Sequence, residues 1–520
     1  MLDGEWGDDD SREDEHASAD TGSWDPDKDQ GSLSWITKHY RAQQVWSYED
    51  PYGRDVTGNG VTVAVIDTGV APVPGLDTPG KVINGPDLSF ESQADGTRYL
   101  DGYGHGTHMA GIIAGRDTGC GDSGGEDGEG SKAEPFCGMA PDARILNVKV
   151  GAADGGADVT QMIAAIDWVV QHRNDNGMNV RVLNLSYGTE SLQSYELDPL
   201  AHAVENAWRH GIVVVAAAGN NGLATQSLTM PAVDPYVLAV GAVDHWGTSN
   251  PDDDVVADFT NGGNAARRPD LLAPGKSVVS LRVPGSYVDV GHPEGLVTGD
   301  AEQRFFRGSG TSQAAAVVSG TVALLLQDRP WLKPDQVKRL LRTTATPLDE
   351  NPHPAMGAGV LDIRRAADAS TPGASTSTQT WPASTGLGTL EESRGGEHVV
   401  DPENGAVLVG ETDALGNPWD ARRWSTASTA GSAWTGGEWN GQVWSGDGWS
   451  AQSWSGPAWA ARRWSGISWS GLDWSARRWS TDYWSARRWS GEDWQARRWS
   501  EAAWLARRWS GDDWGLAPTW

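Results

Sequence analysis

The sequence predicts an α/β fold, a mainly parallel sheet between layers of helix, and two patterns carry that prediction. Short apolar, β-branched runs recur along the chain: VTVAVI (61–66), ILNVKV (145–150), VRVLNLS (180–186), IVVVAAA (212–218) and YVLAVG (236–241). Continuous apolar character over so few residues is that of a strand buried on both faces. Helical patterns lie between them. In DVTQMIAAIDWVV, residues Val159, Ile163, Ile166 and Val170 recur at helical spacing. Strands alternating with helices imply parallel pairing with both faces covered. A further buried helix is expected from Ser312, where SQAAAVVSGTVALLLQ is rich in alanine and leucine and meets no breaker before Pro330.

Ligands of such sheets bind beyond the carboxyl ends of the strands. Asp67 falls just past the end of the 61–66 run, and Asn220 follows the 212–218 run after Gly219. His105 lies in GYGHGTHMAG, and Ser312 follows GSGT at the start of its helix. A nucleophilic hydroxyl needs a base to take its proton, and the base needs a carboxylate to fix its tautomer and stabilise its cation. The order acid, base, nucleophile is one of several unrelated orders in which this chemistry recurs. Taken singly, an Asp after a strand is usually a turn residue and a Ser before a helix usually a cap. Together, in this order, they read as an acyl-transfer site.

From about residue 44 to about 370 the chain resembles the subtilisin-like serine peptidases. The motifs are Asp67-Thr68-Gly69, His105-Gly106-Thr107-His108, Gly310-Thr311-Ser312 and the segment VVVAAAGNNG. The resemblance implies Asp67 as the catalytic acid, His105 as the base, Ser312 as the nucleophile, and Asn220 as the side-chain donor to the oxyanion. It also implies that Ser186-Tyr187-Gly188 aligns an extended peptide. Ala217, Ala218 and Gly219 would line the main specificity pocket, with Thr229 at its floor. No acid stands at these positions, which argues against a strict preference for basic side chains. The family pattern Met-Ala-x-Pro-His after the serine is replaced by Gln313-Ala314-Ala315-Ala316-Val317, which removes no catalytic group. His108, on the same helical face as His105, is expected to be a structural histidine. The chemistry requires no cofactor.

The chain has 520 residues and a formal net charge of −30. Arginines and acids nearly balance in the last hundred residues, so the negative excess lies ahead of them. That argues against a nucleic-acid partner. No apolar stretch is long enough to span a membrane. Residues 1–43 are acid-rich and expected to be disordered, with no signal peptide visible among them. The catalytic domain is expected over 44–369, and 370–418 is read as a Ser/Thr/Pro linker leading into a small β element.

Cys120 and Cys137 flank one Gly-rich acidic insertion, so a disulfide between them is expected rather than two free thiols, which favours an oxidising, extracellular or cell-surface setting. The acids of that insertion suit a structural Ca2+, as family members often hold, but their spacing matches no coordination motif.

From Trp419 to Trp514 a tryptophan stands at every fifth position except Thr429. Such regularity over 419–520 marks a repeat array. Similar pentads are familiar from subtilisin-like peptidases of actinobacteria. The period turns successive indoles by about 140° on a helix and alternates faces on a strand. Short paired strands, a stacked solenoid and a disordered tether all remain open, as do binding to glycan or cell envelope and self-association.

Overall fold

The computed structural model describes residues 23–444, apart from 93–95, 121–134, 246–247, 249–251, 350, 397 and 400–406. Its elements in chain order begin with α1 (Leu33–His39), α2 (Ala42–Trp46), β1 (Thr62–Asp67), β2 (Val82–Asp87), α3 (His105–Ala114), β3 (Arg144–Lys149) and α4 (Val159–His172). Next come β4 (Val180–Leu185), α5 (Pro199–Arg209), β5 (Val213–Ala217), β6 (Leu238–Asp244), β7 (Val255–Val256), β8 (Leu271–Pro274) and β9 (Val278–Leu281). After them follow α6 (Tyr287–Gly291), β10 (Phe305–Gly308), α7 (Thr311–Asp328), α8 (Pro334–Thr344), α9 (Ile363–Asp368) and α10 (Ala374–Ser377). The chain then forms α11 (Leu390–Arg394), α12 (Ala421–Thr429), β11 (Trp434–Thr435), β12 (Glu438–Trp439) and β13 (Gln442–Val443).

The strands β2-β3-β1-β4-β5-β6 pair in that order, all parallel. β8 extends them in parallel from β6, and the short β7 pairs with β6 antiparallel. From β1 the chain crosses to the edge strand β2, steps back to β3 between them, and then passes β1 to continue outward through β4, β5 and β6. β1 therefore sits where the direction of winding reverses, the place where such sheets open a crevice at their carboxyl ends. Helices α3 and α7 pack together on one face, and α4 with α5 covers the other. Every side chain of β1, β5 and β6 is buried, as their continuous apolar character requires.

A further layer lies outside this sandwich. α4 is buried all round from Val159 to Val170, although Thr160, Gln161 and Asp167 are polar. α5 is likewise buried from Pro199 to Trp208. Helices on the outside of a sheet normally keep one wet face. Here that face is covered by α11, α12 and β11.

The described residues of 370–418 therefore do not form a linker. Ser384, Leu390, Ser393, Arg394 and Leu408 are buried, and Ser384 is held by Glu205 and Asp198 of the α5 region. The small β element expected there reduces to isolated pairing, with the Leu408 N–H donating to the Val399 carbonyl.

The expectation of disorder over residues 1–43 fails for 23–43. This stretch carries α1, and it buries Leu33, Ile36 and Ala42 against the catalytic layers. It is also tied down by the Arg307–Asp29 ion pair. Averaging charge over the acidic segment hid a short aliphatic stripe. Residues 1–22 lie outside the described residues.

The first pentads split between two structures. α12 carries Trp424, and β11, β12 and β13 form a small antiparallel meander carrying Trp434 and Trp439. The one break in the array has a local reason: the Thr429 hydroxyl lies 3.1 Å from His202 Nε2, a place an indole would overfill. The pentads beyond Trp444 lie outside the described residues.

Candidate active site

Asp67 is the last residue of β1, one position earlier than the sequence suggests, and it is 1% exposed. Its oxygens lie 2.8 and 3.0 Å from His105 Nδ1. An ionised carboxylate only accepts, so Nδ1 carries the proton and Nε2 is left with the basic lone pair. His105 opens α3, whose start lies hard against the end of β1. A Cβ on Gly106 would stand 2.2 Å from the Gly69 carbonyl oxygen, so only glycine permits that approach.

Asp101 is the residue the sequence reading missed. Fully buried, it accepts through Oδ1 from the Gly104 N–H (2.6 Å), the Tyr103 N–H (3.1 Å) and the Thr68 hydroxyl (2.8 Å). Its Oδ2 accepts from the Thr107 N–H at 2.8 Å. The start of α3 has unpaired N–H groups, and this carboxylate takes those of Gly104 and Thr107 where the Gly104 cap offers no side chain. Burial pushes the Asp101 carboxyl up, and the Gly104 and Thr107 donors oppose that. Through Thr68, whose oxygen also accepts from the Gly106 N–H, Asp101 is linked to the Asp67–His105 pair. The only sequence signal is its place four residues before His105, which is no motif by itself.

Ser312 is the second residue of α7 and 1% exposed. Its Oγ lies 3.5 Å from the Ser186 carbonyl oxygen, which brings the nucleophile candidate to the first residue of the expected peptide-aligning segment. α7 packs on α3, so Ser312 and His105 stand at the N-terminal ends of two touching helices.

Asn220 follows β5, and its Oδ1 accepts from both the N–H and the hydroxyl of Thr311, each at 2.9 Å. The Thr311 N–H can only donate, so Oδ1 must face it and Nδ2 is turned the other way as a donor. Thr311 Oγ1 in turn accepts from the Gly219 N–H at 3.2 Å. The amide is thus oriented before any substrate arrives. Gln313, next to Ser312, is fully buried, and its amide has no hydrogen-bond partner among the described residues.

Thr229 is buried between the two segments expected to line the pocket. A Cβ on Gly188 would meet Thr229 Oγ1 at 2.4 Å, and one on Gly219 would meet Thr229 Cγ2 at 2.9 Å. Its hydroxyl lies 3.4 Å from the Ala217 carbonyl. Tyr187 and Ala218 are buried on either side.

His108 is fully buried with Nε2 3.2 Å from the Phe306 carbonyl, and burial pushes it down to about 3, aided by His105. It is neutral at ordinary pH. Cys120 and Cys137 form a disulfide with Cα atoms 5.7 Å apart. The acidic insertion at 121–134, where calcium was considered, lies outside the described residues. Among the described residues no group of three or more His, Cys, Asp and Glu is placed to hold a metal, and no helix is long and apolar enough to cross a membrane.

A carboxylate–imidazole pair at the switch point of a parallel sheet, beside a helix-borne serine and a pre-oriented amide, has the layout of a serine-hydrolase site. Residues 58–360 match the Subtilase family, peptidase S8, and the chain belongs to that family. Serine protease AprX of Bacillus subtilis is 38% identical over 317 residues, which are 60% of this chain and 66% of that protein. Subtilisin DY of Bacillus licheniformis is 33% identical over 313 residues, covering 60% of this chain and 92% of that one. Among solved structures, fervidolysin from Fervidobacterium pennivorans, a keratinolytic enzyme related to subtilisin, aligns at 28% identity with a TM-score of 0.48, covering 66% of this chain and 47% of its own.

Proposed function

We propose that the protein is a serine endopeptidase that hydrolyses peptide bonds through an acyl-enzyme. The observation that carries this is the Asp67–His105 pair, with Nδ1 committed to the carboxylate, at the N-terminal end of the helix that packs on the Ser312 helix. In the first step Ser312 Oγ attacks the carbonyl carbon as His105 Nε2 takes its proton, and Asp67 stabilises the imidazolium. The tetrahedral oxyanion is held by Asn220 Nδ2 and the Ser312 N–H, both fixed in place beforehand. Collapse expels the amine, protonated by His105, and water then releases the acid by the same route in reverse. Each step uses only side chains and backbone of this chain.

The substrate is an extended peptide pairing with the backbone of Ser186, Tyr187 and Gly188 as an added strand. The residue on the acyl side of the cut bond enters between that segment and Ala217, Ala218 and Gly219. Thr229 touches both walls, so the slot is shallow and favours small or unbranched side chains there. An oxidising, extracellular or cell-surface setting is supported by the Cys120–Cys137 disulfide. The alternative, a glycan- or envelope-binding protein whose tail is primary, is not favoured, because the described pentad tryptophans are packed on the protein itself. A fluorophosphonate probe should label Ser312, and Ser312→Ala should abolish both labelling and casein hydrolysis. Undiminished hydrolysis by that variant would sink the assignment.

A further inference from the structure

The C-terminal layer reaches the site as well as covering the back of the domain. Thr189 follows directly on the Ser186–Gly188 segment. Its backbone N–H and carbonyl are both paired with Met230, at 2.9 and 2.8 Å, and its hydroxyl donates to the Ser393 carbonyl at 2.6 Å. Three residues later, the Leu192 N–H donates to the Glu392 carbonyl at 2.9 Å. The segment leaving β4 is therefore supported on one side by Met230 and on the other by the end of α11.

That end is itself anchored at two helix starts. The Ser393 hydroxyl donates to Asp198, the N-cap of α5, at 3.0 Å. Arg394 is 1% exposed, and its Nε donates to Asp158, the N-cap of α4, at 2.7 Å. The remaining Arg394 donors go to the Gly410 and Thr412 carbonyls. Each nitrogen of the guanidinium thus has an acceptor in this dry site.

The first tryptophans of the pentad array hold the layer down. Trp424 and Trp439 donate their indole N–H groups to the same buried oxygen of Asp167 on α4, at 2.7 and 2.9 Å. The Ser428 hydroxyl donates to the other oxygen. Trp434 donates to the Ala164 carbonyl at 2.9 Å, and its backbone is paired with the Gln171 amide. Trp444 donates to Asp413 at 3.0 Å. These indoles are spent on acceptors of the chain itself, and three of them, Trp424, Trp439 and Trp444, are wholly buried.

We propose that the described residues of 389–396 and 407–444 are a positioning clamp for substrate binding. Ser393 and Arg394 hold the Ser186–Gly188 segment from behind, and the first pentad tryptophans lock them to α4 and α5. Ser393 and Arg394 are positioning residues that act through Thr189. The proposal rests on the reading of Ser186–Gly188 as the strand that aligns the peptide. A peptide gains from this segment only backbone pairing, so a loosened segment weakens extended substrates and leaves the chemistry of Ser312 intact.

The experiment compares full-length wild type with Arg394→Met, Arg394→Lys and Thr189→Val. Each is assayed for labelling by a small fluorophosphonate, which requires Ser312, His105 and Asn220 but no strand pairing, and for hydrolysis of an extended peptide. For Thr189→Val the expected result is a drop of about tenfold in peptide kcat/KM, carried by KM, with labelling within twofold of wild type. Arg394→Met should show a larger loss of the same kind, and Arg394→Lys should recover part of it. If Arg394→Met does not fold, Thr189→Val decides, since it removes one hydroxyl and keeps the side-chain shape. Equal losses of labelling and peptide hydrolysis, or no loss in either, overturn the clamp. A wild type that is itself unlabelled overturns the peptidase reading, and the clamp's purpose with it.

Discussion

Replacing Asp101 with asparagine tests whether the geometry of the acid–base pair is held by the network behind it. Asp101 serves four donors, three on Oδ1 and one on Oδ2. Asparagine keeps one acceptor oxygen. Its best orientation leaves that oxygen facing Gly104, Tyr103 and Thr68, and turns the amide NH2 against the Thr107 N–H. A buried donor then loses its partner, at about 1–3 kcal/mol, and three charge-assisted bonds become neutral ones, each about half as strong. Relief of a buried charge offsets part of this, because burial already pushes the Asp101 carboxyl up. The net expectation is a loss of about 2–4 kcal/mol. The activity should fall further than stability alone explains, by about tenfold or more in kcat, because Thr68 passes any shift directly to Asp67 and to the start of α3. Thermal unfolding, together with fluorophosphonate labelling at a temperature well below the variant's midpoint, separates the two effects. An Asp101→Asn protein that unfolds with wild type and labels at the wild-type rate would refute the reasoning.

Three further outcomes follow from the same geometry. Asn220→Ala should lower kcat by about 10²–10³ with little change in KM, a magnitude known from subtilisin itself, and steady-state kinetics on a peptide substrate would show it. Thr229→Gly should deepen the slot, raising kcat/KM for phenylalanine over alanine at the acyl-side position by about tenfold or more; an unchanged ratio would place the pocket floor elsewhere. The last concerns Asp167, which burial raises from 3.8 to about 6 against the pull of Ser428, Trp439 and Trp424. A raised folded-state value means that its contribution is full below about pH 4 and is lost as pH rises through about 6. Two units correspond to about 3 kcal/mol, so the stability of wild type relative to Asp167→Asn should fall by up to that amount between pH 4 and 6 and then level off. Denaturant titrations across that range check the sign.

What the sequence discloses follows from where the information is local. β1, β3, β4, β5 and β6 are apolar runs that nothing but a doubly covered strand explains, and each was legible. β2 was not, because its Asn-Gly-Pro interior reads as a turn and only pairing with β3 makes it a strand. Helix α5 was hidden for a different reason: its sequence PLAHAVENAWR sets His202, Glu205 and Asn206 among its apolar residues, and those three polar side chains are buried against the C-terminal layer rather than in water. The residues Asp67, His105, Ser312 and Asn220 announce themselves by short motifs. Asp101 does not, since its role depends on four donors that only the folded chain of 68–107 brings to one point. Residues 23–43 and 370–418 were misjudged on composition, which reports what a segment is made of and not whether a complementary surface exists for it.

That complementary surface explains why the tail and the catalytic layers belong to one unit. A helix packed on a sheet and exposed on its far side gains nothing from a buried aspartate. Asp167 on α4 is nevertheless wholly buried. An isolated carboxyl in that position is costly, and the cost is met only when Trp424, Trp439 and Ser428 donate to it. The dependence runs the other way too. Indole N–H groups buried without acceptors would penalise the folded tail, so the pentads need α4 as much as α4 needs them. Mutual satisfaction of this kind is directional and register-specific: moving the tail by a single residue would turn both indoles away from Asp167. From Trp424 to Trp444 the five-residue period is thus readable as spacing between donors, with Thr429 replacing tryptophan where its hydroxyl meets the His202 imidazole.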